Sequence, residues 1–101
     1  MNTQNQTTAH TPGPWHVEHH IGDWFLITPR NHIIAETAST SVAPTYSQQS
    51  ANARLIAAAP ELLEALEDAL NTIKALDEDY DERGSYRRGE AAIAKAKGEQ
   101  P

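Results

Sequence analysis

Five apolar residues spaced by alternating steps of four and three, Leu62, Leu66, Ala69, Ile73 and Leu76, constrain this chain more than any other feature. Side chains at that spacing return to one side of a helix, so the pattern predicts a helix over about residues 61–77. Leu63 and Leu70 widen the stripe beyond what one contact needs. One edge is expected to pack inside the protomer and the other, carried by Leu62, Leu66, Ala69, Ile73 and Leu76, to form an oligomer interface. Pro60 sets the start of this helix: it lacks an amide hydrogen and clashes with a preceding turn, so it belongs in a first turn and breaks the pattern before it.

The residues on either side of that helix are also rich in helix formers. Ser47 is the expected N-cap of a helix over about 48–59, with Ala51, Leu55, Ile56 and Ala59 sharing a face. Ser85 is the expected cap of a last helix over about 85–97, stopped at Gly98, with a narrow stripe of Ala92, Ile93 and Ala96.

Upstream the period changes to two. Ile21-Gly22-Asp23 and Pro29-Arg30-Asn31 separate three short runs of aromatic and β-branched residues, predicting strands at about 15–20, 23–28 and 32–37. Alternation sends Trp15, Val17 and His19 to one face of the first strand, and His16, Glu18 and His20 to the other. Trp15, aimed by Thr11-Pro12-Gly13-Pro14, is the first expected core anchor. The fold class is α+β, a three-stranded antiparallel meander followed by two or three helices packed on the sheet. Residues 1–11 read as a disordered lead-in, 12–98 as one domain with one core, and 99–101 as a tail.

Charge and composition exclude several functions. A net charge of -6 argues against direct DNA binding, which depends on clustered Lys and Arg. With no cysteine there is neither a thiolate nucleophile nor a Cys-type zinc site. No apolar run approaches the roughly 20 residues that span a bilayer, and MNTQNQTTAH resembles no secretory leader, so a cytoplasmic protein is expected.

The candidate chemistry is sparse. His16, Glu18 and His20 share a strand face and are weak metal candidates, because neighbours there stand roughly 6–7 Å apart and the set is incomplete. Asp77, Asp79 and Asp81 alternate as in a calcium loop, but Glu82 stands where the loop needs glycine and Arg88 where it needs glutamate, so a solvated linker fits better. No nucleophile motif or phosphate-cradling loop occurs, so neither an enzyme nor a cofactor is expected. Asn52 and Arg54, with Tyr86, Arg87, Arg88 and Trp24, combine anion-binding and stacking groups suited to a small nucleotide. The alternative is that the late arginines, Arg83 included, offset the acidic run.

Three blocks carry a family resemblance: Thr11-Pro12-Gly13-Pro14-Trp15, the run from Asn52 to Leu66 (NARLIAAAPELLEAL), and Ala91-Ala92-Ile93-Ala94-Lys95-Ala96. Together they resemble a widespread group of small uncharacterised proteins of tailed bacteriophages and prophages. The resemblance implies a phage accessory protein acting in the host cytoplasm by stoichiometric binding, as an inhibitor of host defence. Two routes follow from that implication. A homo-oligomer sequesters a small nucleotide signal, or an acidic surface docks on a basic host defence protein. A self-assembling structural protein is the third possibility.

Overall fold

The computed structural model describes residues 9–20, 24–29, 32–37 and 45–99, with the side chains of His20 and Trp24 left aside. The architecture is α+β, a three-stranded antiparallel sheet followed by three helices. Contacts gather in two compact units, Thr11–Glu61 and one containing residues 62–99.

The first unit holds β1 (His16–His20), β2 (Trp24–Thr28), β3 (Ala35–Thr37) and α1 (Tyr46–Ala57). Antiparallel pairing in the order β1-β2-β3 sets Val17 opposite Ile27, His19 opposite Phe25, and Ala35 and Thr37 opposite Ile27 and Phe25. Those residues form one face, and α1 covers it. Ile27 in this core has no exposed surface, and burying such a side chain contributes about 1.5–3 kcal/mol. β3 is shorter than the expected 32–37, and among the described residues the Ile34 amide, bonded to the Ile27 carbonyl at 2.8 Å, prolongs its pairing.

α1 differs from the sequence expectation in two ways. Its cap is Thr45, whose hydroxyl accepts from the Gln48 amide while the Gln48 side chain accepts from the Thr45 amide. That reciprocal pair satisfies two end amides at once, and Ser47 lies inside the helix. The inward face is Gln49, Ala53 and Ala57, with Ile56 at its edge, whereas Ala51, Leu55 and Ala59 are exposed. Two alanines one turn apart let the helix backbone settle close on Phe25 and Ile27, and Leu55, 63% exposed, lies off that face. Gln49 is 1% exposed and its Oε1 has no hydrogen-bond partner, a state that costs about 1–3 kcal/mol.

Trp15 packs against this core, and its Nε1 donates to the Thr11 carbonyl at 3.0 Å. The resulting loop lies on the start of α2 (Ala59–Leu76): a Cβ on Gly13 would stand 3.0 Å from the Pro60 Cβ. Pro60 occupies the first turn of α2, and only Ala58 separates that helix from α1.

In the second unit, α2 continues from Leu62 and packs on α3 (Gly84–Ala96) through Leu70, 6% exposed, and Gly89. A 3-10 turn over Tyr80–Glu82 connects the helices. α3 starts after Arg83 with no side-chain cap, so Ser85 sits within its first turn rather than capping it. Its other end follows expectation. Gly98 takes φ 74°, the Gly98 amide bonds the Lys95 carbonyl and the Glu99 amide bonds the Ala94 carbonyl. The expected lead-in and the turns fall largely outside the described residues, at 1–8, 21–23 and 30–31, as do 38–44 of the connecting loop and residues 100–101.

The contact at Gly89 generates a test. An added Cβ would meet Leu70 Cδ2 at 2.9 Å and Cδ1 at 3.0 Å, and Leu70 is buried. Gly89→Ala is expected to lose about 1 kcal/mol net, overpacking outweighing the gain in helix propensity. Gly84→Ala meets only the mobile end of Arg88, at 3.1 Å, and is expected to be neutral or slightly stabilising by thermal melting.

Candidate functional site

Three surfaces emerge from these elements. The first is a cleft of about 460 Å³ in the sheet unit, where Pro12, Gly13 and Pro14 meet Pro29 and the imidazoles of His16 and His32. Strand alternation turns His16 to the side of the sheet away from α1, with Glu18. Glu18 accepts from the Thr28 hydroxyl at 3.1 Å, so it serves the sheet itself. Among the described residues no group of three or more His, Asp or Glu is placed to hold a metal ion.

The second surface is an acidic groove of about 540 Å³ along α2 and α3, lined by Glu64, Glu67, Asp68 and Glu90 over Leu70 and Ile93. Lys97 pairs with Glu67 at 2.7 Å, and that hydrogen bond raises the lysine pKa. The remaining carboxylates, Glu64, Asp68 and Glu90, leave the groove with a net negative lining.

The third is the outer edge of α2. Of the expected interface, Leu66 and Ile73 are half-buried, while Leu62 at 53%, Ala69 and Leu76 at 81% face outward. Leu70 turns the other way, into the notch that Gly89 offers on α3, and Leu63 is half-buried.

The anion-binding set divides between units. Asn52 and Arg54 are exposed on α1, and Arg54 Nη1 donates to Ser50 Oγ at 2.6 Å. Tyr86, Arg87 and Arg88 belong to α3. Tyr86 is 6% exposed with its ring edge-on to Tyr80 at 4.9 Å, so it is an interior residue and has no free face for stacking. Burial, then the nearby Glu90 carboxylate, push its phenol pKa up. Arg87 Nε donates to the Asp81 carbonyl at 2.8 Å, while Arg88 remains exposed beside Gly84. Arg83 Nε donates to Asp77 at 2.9 Å. The arginines near the acidic run thus hold it in shape, and Trp24 lies outside the described side chains.

Asp77 also accepts from the Asp79 amide at 2.9 Å. The Arg83 hydrogen bond and then this amide hold the Asp77 carboxyl below the ordinary carboxylate range. A carboxylate depressed by folding stabilises fully above its unfolded pKa, and the contribution disappears as pH falls through the folded value. Asp77→Asn is therefore expected to remove part of the loss of melting temperature seen on acidification below the ordinary carboxylate range. An identical acid limb in wild type and variant would refute the assignment.

No described helix is long and apolar enough to cross a membrane. No curated protein and no solved structure matches the chain. Residues 1–100 match the family described as Salmonella phage P22 protein Y8K6. That match meets the expectation of a phage protein, and the chain accordingly belongs to the Salmonella phage P22 protein Y8K6 family.

Proposed function

We propose that the protein is a phage accessory factor that inhibits host defence by stoichiometric docking on a basic host protein, in the cytoplasm of the infected cell. The acidic groove on α2 and α3 is the observation that carries this reading. Four carboxylates line one concave surface with an apolar floor of Leu70 and Ile93, a surface that suits Lys and Arg side chains whose stems are apolar and whose heads are charged. Family membership supports action during infection. The competing route, an oligomer that holds a nucleotide through Asn52, Arg54, Tyr86, Arg87, Arg88 and Trp24, draws less support. Tyr86 is interior and Arg87 is engaged with the acidic linker.

Self-association belongs to the same reading. The outward edge of α2 offers Leu62 and Leu76 on either side of Ala69, so a second copy of the helix running antiparallel sets leucine against leucine around a small central residue.

Two measurements test these points. Capture of a basic host protein is expected to weaken steeply with added salt, and to fall about ten-fold or more in Glu64→Gln/Glu90→Gln, since close charge pairs contribute on the order of a few kcal/mol. Capture that ignores both salt and the substitutions sinks the docking reading. For the α2 edge, Leu62→Asp/Leu76→Asp is expected to reduce an oligomer to monomers in sedimentation, with protomer stability changed by no more than about 0.5 kcal/mol per exposed site. A wild-type protein that is already monomeric at high concentration removes the edge from consideration.

A further inference from the structure

One end of the sheet carries groups that the fold leaves unused. Strand register aligns His19, Phe25 and Thr37 in a row on the side that faces α1. The His19 and Phe25 rings stack with centroids 4.8 Å apart and planes 17° from parallel. Tyr46, the first residue of α1, closes over both at 5.7 and 5.5 Å while remaining 49% exposed. One turn further, Gln49 is 1% exposed with Oε1 unpartnered, and Thr37 Oγ1 in the same row is also buried and unpartnered.

A flat aromatic pair beside two unused oxygens is the chemistry that recognises a planar heterocycle bearing N–H donors. Stacking is tolerant of which ring is bound, whereas the oxygens select its edge. A glutamine amide matches an adenine edge in particular, its oxygen accepting from the exocyclic amino group. We infer that this row is a binding site for an adenine-type base. The base takes the place of the Tyr46 ring against Phe25 and His19 and donates its amino group to Gln49, with the Thr37 hydroxyl as its second partner. Tyr46 turns outward to admit it, a rotation that its half-exposed position at the head of α1 allows. The site is distinct from the arginines considered above and independent of docking through the acidic groove.

A purely structural role for Gln49 leads elsewhere. Replacing an unpartnered buried amide by an apolar side chain of similar shape leaves the fold as stable or more so and changes nothing else. Titration of the full isotope-labelled chain with 9-methyladenine, and with 9-methylpurine as the probe lacking the amino group, separates the two. Saturable NMR shifts at His19, Phe25, Thr37, Tyr46 and Gln49 are expected with 9-methyladenine, and about ten-fold weaker binding of 9-methylpurine. Gln49→Met is expected to keep or raise the melting temperature and abolish the preference between the probes, while Tyr46→Ala keeps or tightens binding. Should Gln49→Met fail to fold, Thr37→Val takes its place with the same readout and a several-fold loss expected. The proposal is overturned by an absence of saturable binding to the wild-type chain, by equal binding of the two probes, or by a preference that survives in the variant.

Discussion

The sheet unit depends on how closely α1 can lie on β2. Ala53 and Ala57 are small enough for the helix backbone to approach Phe25 and Ile27, and a larger pair there would lift the helix away. That approach fixes the rest of the unit. It places Tyr46 over the His19 and Phe25 rings, draws Gln49 into the interior, and brings the Trp15 loop down on Pro60 through Gly13. The segments around Gly13 and Pro60 therefore meet in space although nearly half the chain separates them.

The helical unit follows a different logic, because its interior is built from single fitted contacts rather than a layer. Leu70 enters the space that Gly89 leaves and Tyr80 and Tyr86 meet edge to face, while at the surface Lys97 bonds Glu67. Lys74 lies 5.7 Å from the centre of the Tyr80 ring, a cation-to-ring contact that adds to the same cluster. These contacts use one side of α2 and leave the side bearing Leu62, Ala69 and Leu76 in solvent, which is why a stripe broader than one partner requires was visible in the sequence.

Periodic features were legible without a structure. The alternation of β1, the leucine spacing of α2, Pro60 in a first turn and Gly98 as a stop each follow from a local rule, and each is present. Features that depend on a distant neighbour were not. Leu55 was expected on the packed face by its hydrophobicity, but the close helix and sheet contact is made by Ala53 and Ala57 and takes in the polar Gln49 instead. Tyr86 stands beside Arg87 and Arg88, so it read as part of a binding set, and only Tyr80 across the linker reveals it as interior. The Thr45 and Gln48 capping pair was in principle readable from its four-residue pattern, and the serine two positions later obscured it. That His16 and His32 line one cleft had no local signal at all.

The Leu70 and Gly89 fit also bears on how the family can vary. The two positions draw on one small allowance of volume, so a side chain gained at one must be surrendered at the other. Relatives that keep the helix pair but carry alanine or serine where Gly89 stands should show a smaller or unbranched residue where Leu70 stands. Such a correlated exchange would mark the two helices as an ancestral pair that evolves as one piece.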